Sequence, residues 1–420
     1  MSKRRASGAR GEAEPSEDQR GMVHEVHFDP FDYAFHEDPY PVYRELREHA
    51  PVYWNEELRF WALSRHADVL AGFKDWERFS NAHGISLEIA ELDKDSSAVL
   101  SMLGMDPPRH DRIRALVAKG FTPRRVAALE PNIRALSVRY LARMREAGRC
   151  DFIADFAGRI PMDVVSEMLG VPEADRDELR GWSDMILHRE EGVRGVPAAG
   201  IEASGKLLRY FVGVIAERRR RPGDDLASAL LAAEIDGERL SDKDIIAFLY
   251  LMIIAGNETT TKLLANAIYW LARHPSARKE VRESPALIPD WVEETLRYDN
   301  STQLMARTVT ADLDYRGHAM RRGDRILLLI GSANRDERVF PNPDVFDLHR
   351  DASAHLSFGR GTHFCLGAAL ARLEARVALE EVQRRIPDYA IDESGLVRVH
   401  STNVRGFAAM PIECGPEPAR

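Results

Sequence analysis

The residues best suited to chemistry in this sequence form one stretch, Phe358-Gly359-Arg360-Gly361-Thr362-His363-Phe364-Cys365-Leu366-Gly367. Cysteine binds a metal or attacks an electrophile as its thiolate, so the flanking residues decide whether Cys365 can act. A helix-forming run, Ala368 to Arg384, starts directly behind it, and the positive end of a helix dipole favours a thiolate. Gly359 and Gly361 can take backbone angles closed to other residues, which lets the loop curl its N–H groups around the sulfur. Gly367 has no side chain, so a flat ligand could lie close against the helix start. The plainer alternative is a turn that carries one of three free cysteines (Cys150, Cys365, Cys414).

Three further groupings have usable spacing. Glu258, Thr259 and Thr260 follow the most apolar run of the chain, Ile245 to Gly256, where an acid and two hydroxyls cost free energy unless they are paired or used. Ser241-Asp242-Lys243-Asp244 reads as an N-cap with an acid three residues on, and the helix it opens can run about thirty residues, to Arg273 before His274-Pro275. Gly256 and Thr259 weaken that helix, and a Thr hydroxyl can bond back to a carbonyl and open a groove. His110 and Arg114 lie four apart on a helix from Arg109 to Lys119, so both point from one face. Glu294 and Arg297 lie three apart on another helix, where a solvent-exposed ion pair would contribute little.

Together these motifs resemble the cytochrome P450 family. The cysteine stretch matches every fixed position of its haem-ligand loop, Phe-Gly-x-Gly-x-His/Arg-x-Cys-x-Gly. Ala255-Gly256-Asn257-Glu258-Thr259 matches its oxygen-activating segment, Ala/Gly-Gly-x-Asp/Glu-Thr, and Glu294 with Arg297 matches its Glu-x-x-Arg pair. Ala333 to Asp336 and Pro341 to Phe346 resemble the segment that closes the Glu-x-x-Arg network, and the resemblance covers about residues 30 to 412. It implies a mainly α fold with small β-sheets and a haem b held by Cys365 as axial ligand. Phe358, Gly359, His363, Gly367 and Ala255 would surround the ring, and His110, Arg114 and Arg307 would meet its propionates. The implied reaction inserts one oxygen atom of O2 into a hydrophobic small molecule by hydroxylation or epoxidation. Thr259 would hydrogen-bond the dioxygen and Glu258 would relay protons to it, with a pKa raised by its apolar helix. Glu294 and Arg297 would be structural. A peroxide-driven or oxidative-coupling enzyme and a non-catalytic haem sensor are the alternatives on the same fold; the Glu258–Thr259 pair speaks against both.

Leu251, Ile254 and Ala255 on the long helix, Gln303 to Met305, and the loop Ile85 to Leu103 are candidate pocket walls, with a tip at Ser401 to Val404 above. They are mostly apolar or small, which suits a steroid, terpenoid, polyketide or fatty acid. No flavin domain or Gly-rich nucleotide loop occurs in the sequence, so electrons are expected from a ferredoxin and its reductase. Arg112, Lys119 and Arg360 are candidates for the docking face. The 420 residues are 44% hydrophobic and 30% charged, enough for a large core. A net charge of -9 argues against nucleic acid as a partner, and no apolar run is long enough for a membrane. Three cysteines in so long a chain fit a reducing cytoplasm rather than a disulfide framework, and the expected state is a monomer. The expected organisation is a disordered tail over 1–27, one large helical domain with a β-rich subregion over 28–414, and a short tail over 415–420.

Overall fold

Helices dominate the structure, a computed structural model that describes residues 26–87, 102–235 and 237–415. Nearly all of the expected N-terminal tail, most of the Ile85 to Leu103 loop and the last residues lie outside the described residues. The helices that position the site are α1 (Arg109–Val117), α2 (Glu130–Ala147), α3 (Arg159–Leu169), α4 (Arg176–Leu187), α5 (Ala198–Arg220), α6 (Asp242–Arg273), α7 (Ile288–Tyr298) and α8 (Ala368–Arg385). The strands are β1 (Val52–Asn55), β2 (Phe60–Leu63), β3 (Phe79–Ser80), β4 (Arg149–Asp151), β5 (Leu304–Val309) and β6 (Arg325–Leu329). Two more, β7 (Ala390–Ile391) and β8 (Pro411–Glu413), complete the set used below.

The long helix α6 starts where its sequence signal puts it. The Ser241 hydroxyl accepts from the Asp244 N–H at 3.1 Å and the Asp244 carboxylate accepts from the Ser241 N–H at 3.3 Å. Two donors that a helix start leaves open are thereby satisfied. At 32 residues α6 is about 48 Å long. Its first half (Ile245, Phe248, Leu249, Ile253) belongs to one buried cluster with α3 and α5, and its last half (Leu263, Leu264, Ile268, Leu271) to another with α2, α7 and α8. The polar middle, from Ala255 to Thr260, lies between two separately anchored halves.

The main sheet runs β1-β2-β6-β5-β3, built on the hairpin β1–β2, to which β6 adds in parallel and β5 antiparallel. A three-stranded sheet, β7-β8-β4, ties the C-terminal part back to the end of α2. Helix α4 is an addition to the sequence-based reading. Acids from Glu173 to Glu178 and a mid-helix Gly181 hide it, although Leu179, Trp182 and Ile186 recur at helical spacing.

Glu294 and Arg297 are not a surface pair. Both are buried on α7 and joined by two hydrogen bonds of 2.7 Å. Arg297 also donates to the carbonyls of Asn334 (3.1 Å), Pro343 (2.9 Å) and Val345 (3.2 Å), and Glu294 accepts from the Asp347 N–H (2.9 Å). The pair thus fastens the two segments that lead into the cysteine loop, and every charge-bearing group in it is satisfied.

Candidate active site

The cysteine loop is closed by backbone geometry. Gly359 and Gly361 have φ of +66° and +73°, where side chains are strained, and a Cβ on Gly361 would come within 2.7 Å of the Phe73 carbonyl oxygen. The Cys365 N–H donates to the Phe358 carbonyl at 2.9 Å, folding the loop back so that the sulfur stands at the start of α8. Its side chain is open to an internal cavity yet deep within the protein. Burial pushes the Cys365 thiol up, opposed first by the Gly367 N–H, then by Arg114 and Arg372. In the protein alone, then, desolvation outweighs the helix start that the sequence suggested would win.

Across the cavity stands one stripe of α6. Phe248, Met252, Ala255 and Thr259 recur at spacings of three and four and share that face, joined by Leu251. The Thr259 hydroxyl donates to the Ala255 carbonyl at 2.7 Å, the back-bond that a mid-helix threonine favours. Met305 of β5 also lines the cavity, with Ile85, Met102 and Leu103 beside it. Ile254 does not: it sits on a different stripe of α6 and packs into the cluster of α3 and α5. Gln303 turns inward as well, donating to the Asn300 carbonyl at 2.7 Å, while Leu304 is buried in the core behind β5. The Ser401 to Val404 tip pairs with Thr302 and Gln303 behind the wall, through the Gln303 N–H to the Asn403 carbonyl at 2.8 Å, and does not line the cavity.

The residues present fit a large, flat, dianionic ligand over the sulfur. A Cβ on Gly367 would meet only Cys365 Sγ, at 4.0 Å, so the space above the helix start is open. At one edge, Arg307 is buried with only the carbonyl of Ala306 as a hydrogen-bond partner, at 2.7 Å, and forms no ion pair with the described residues. Burial lowers its pKa to about 10, opposed by Asp106. Arg114 lines the same cavity and donates to the Phe364 carbonyl at 2.5 Å. His363 is held neutral, its pKa lowered to about 3 first by burial and then by His110, Arg307 and Arg114. His110 is completely buried behind it, ring centroids 4.1 Å apart, with Nε2 lacking a hydrogen-bond partner among the described residues. Buried cations without counter-charges are costly, and carboxylates arriving at this edge would relieve that cost. Phe358, Gly359 and Ala255 complete the walls.

Glu258 departs from expectation twice. It faces away from Cys365, into a second cavity behind α6 that Asp184, Arg180 and Lys262 also line. And its pKa is lowered, not raised. Burial alone would push the carboxyl up, but the Lys262 ammonium at 2.9 Å, the Asp184 hydrogen bond and Arg180 outweigh it. The proton sits instead on Asp184 of α4, whose pKa is raised to about 8 by burial and then by the Glu258 carboxylate. Sequence reasoning missed Asp184 and Lys262, although Lys262 stands four residues from Glu258 and its spacing could have been read.

It also missed Glu374 on α8. This buried acid lines the same cavity as Cys365 and Thr259 and is pushed up to about 8 by burial, opposed by Thr260. Unfolded, it would ionise near the usual value of about 4.3. The folded protein therefore binds one more proton between those values, and the stability this gives is full below about pH 4 and lost as pH rises through 8. Glu374→Gln should flatten that loss: melting curves at pH 5 and pH 8 should differ less in the variant than in the parent. Equal differences would contradict the burial argument.

The chain matches the cytochrome P450 family model over residues 202–285 and 286–385. It is 56% identical to cytochrome P450 123 of Mycobacterium tuberculosis over 389 residues, covering 92% of this chain and 97% of the relative. It is 38% identical to the vitamin D(3) 25-hydroxylase of Pseudonocardia autotrophica, covering 93% and 97%. Among solved structures it is similar to CYP109E1 from Bacillus megaterium in complex with testosterone, with a TM-score of 0.84 and 34% identity over 90% of this chain and 98% of that one. The fold, the sequence and the open face beside Cys365 agree: this chain is a member of the cytochrome P450 family, a haem-dependent monooxygenase.

Proposed function

We propose that Cys365 would hold the iron of a haem b through its sulfur and that the enzyme inserts one oxygen atom of O2 into a steroid-sized apolar molecule, by hydroxylation or epoxidation. The observation that carries this is the Cys365 sulfur opening into an apolar cavity opposite Ala255 and Thr259, with Arg114 and Arg307 at one edge bonded only to backbone carbonyls among the described residues. Haem bound there would supply the reduction and splitting of dioxygen. Arg114, Arg307, His110 and His363 would hold its carboxylates, and Gly367 would let the ring lie against the start of α8. Phe248, Leu251, Met252 and Met305 would exclude water and hold the substrate's apolar body, with Ser301 and Thr302 as the polar groups that orient it. The substrate class is supported by two relatives, one named for hydroxylating vitamin D(3) and one bound to testosterone. A terpenoid, polyketide or fatty acid shares the apolar body this wall would take.

The protein's own chemistry is proton handling. Thr259 Oγ1, now bonded to the Ala255 carbonyl, can turn its proton into the cavity. Asp184 and Glu258 hold one proton between them on the far side of α6, and Glu258 would have to swing away from Lys262 to bring it to Thr259. Thr259→Ala should therefore lower product formed per NAD(P)H consumed by about tenfold or more, with peroxide released instead. Product yield still matching NAD(P)H use would remove Thr259 from that role.

Electrons would come from a ferredoxin and its reductase, with the enzyme acting as a cytoplasmic monomer. Arg112 and Lys119 are exposed on the α1 side of the cysteine loop, and Arg360 is half-buried on the loop itself, donating to the Ser353 and Gly359 carbonyls at 3.1 Å. A docking face of this charge should make ferredoxin-supported turnover fall steeply as salt is raised, while turnover supported by added peroxide stays flat. Parallel salt curves would argue against electrostatic docking there. Among the described residues, no helix is long and apolar enough to cross a membrane.

A further inference from the structure

Two thiols that the site does not use stand side by side in the sheet β7-β8-β4. Cys150 of β4 is paired with Ile412 of β8 in antiparallel register. Cys414 follows β8 by one residue, and its N–H donates to the Gly148 carbonyl at 2.8 Å, continuing the ladder. Residues two apart on a strand share a face, so Cys414 is the diagonal neighbour of Cys150 on one side of the sheet. Their side chains lie close enough to perturb each other's ionisation, and both are half-buried against the core cluster that contains Met410 and Ile412. Diagonal spacing in a sheet lies at the upper edge of what a disulfide spans, and Cys414, just beyond the last paired residue, would need only a small backbone shift to close the remaining distance.

We propose that Cys150 and Cys414 are a reversible redox pair that hydrogen peroxide converts into a disulfide, fastening the chain after β8 to the end of α2. The two thiols are not equivalent. The neighbouring Cys150 thiol lowers the Cys414 pKa, helped by Arg145, while Cys414 and burial push Cys150 far up. Cys414 is thus the nucleophile and Cys150 the resolving thiol. In the first step the Cys414 thiolate attacks one peroxide oxygen, the O–O bond breaks, and hydroxide leaves to become water on protonation; Cys414 becomes a sulfenic acid. In the second, the Cys150 sulfur attacks that sulfur, the S–O bond breaks, and a second water leaves. Two electrons pass from the thiols to peroxide. An enzyme that reduces dioxygen generates this oxidant whenever product formation fails, so the source lies in the same molecule. The bond would close nearly the whole site-bearing part of the chain, from β4 to β8, into one loop, which restricts the unfolded state.

The test uses the haem-loaded full chain, given a short pulse of stoichiometric hydrogen peroxide, quenched with catalase, alkylated and mapped by mass spectrometry without reduction. The expected product is one Cys150–Cys414 linked peptide, two hydrogens lighter than the sum of its parts, reversed by dithiothreitol and accompanied by a higher Tm. In Cys150→Ser, a sulfenic acid should accumulate at Cys414 and be trapped by dimedone. Both thiols still alkylated after the pulse, Cys414 carried on to sulfinic acid in the parent chain, or links made to Cys365 instead would each overturn the proposal. Should Cys150→Ser fold poorly, the parent map alone decides.

Discussion

The Cys365→Ser variant is expected to lose monooxygenase turnover by at least about 10³-fold, the scale reached when the group that carries the chemistry is removed. A serine hydroxyl in this position stays protonated and donates far less charge than a thiolate. The loop around it should survive, because its closure rests on the Cys365 N–H bond to Phe358 and on the two positive-φ glycines rather than on the sulfur. Among the described residues no cluster of three metal-binding side chains offers a substitute site. The neighbouring His363 ring packs against His110, with centroids 4.1 Å apart, near Arg114 and Arg307. Turnover with substrate, reductant and electron donor, measured beside the circular dichroism of the same sample, checks the prediction. Substantial turnover by a folded Cys365→Ser protein would remove Cys365 from the mechanism.

The second large effect is on stability. Arg297→Ala should destabilise the protein by about 3–5 kcal/mol, because it strands the Glu294 carboxylate in the core and frees the carbonyls of Asn334, Pro343 and Val345. Against a typical total of about 5–15 kcal/mol, that removes a large share of the whole margin. The double variant Glu294→Gln with Arg297→Met should be less destabilised than the sum of its single changes, since neither partner is then left charged and alone. Denaturant unfolding of the parent, Arg297→Ala, the two single changes and the double variant gives the answer. An Arg297→Ala cost below about 1 kcal/mol would mean the pair is not the brace its burial indicates.

Much of this site was legible in the sequence, for identifiable reasons. The cysteine loop could be read because glycines at positive φ and a helix start are local requirements, written in consecutive residues. The long helix could be read because Ser241 and Asp244 form a capping box and His274-Pro275 ends it. Arg307 was reached only through the family resemblance, since nothing local to β5 marks a buried guanidinium without a counter-charge. What failed was long-range. Glu258 and Thr259 are adjacent in sequence but about 100° apart around α6, so one faces Cys365 and the other faces α4. Helical spacing says which residues share a stripe, not which element covers it. The pKa of Glu258 followed the same route: an apolar helix argued for a raised value, and the unseen neighbours Lys262 and Asp184 reversed it. Glu374 could not be singled out because an acid in an Arg- and Glu-rich helix reads as a solvated face until α6 is packed on top of it.

The most direct test of the account is the absorption spectrum of the purified protein, reduced and exposed to carbon monoxide. Ligation by Cys365 predicts a Soret band at the long wavelength typical of thiolate-bound haem, lost in Cys365→Ser. A band like that of a histidine-ligated globin, or a protein that takes up no haem, would contradict it.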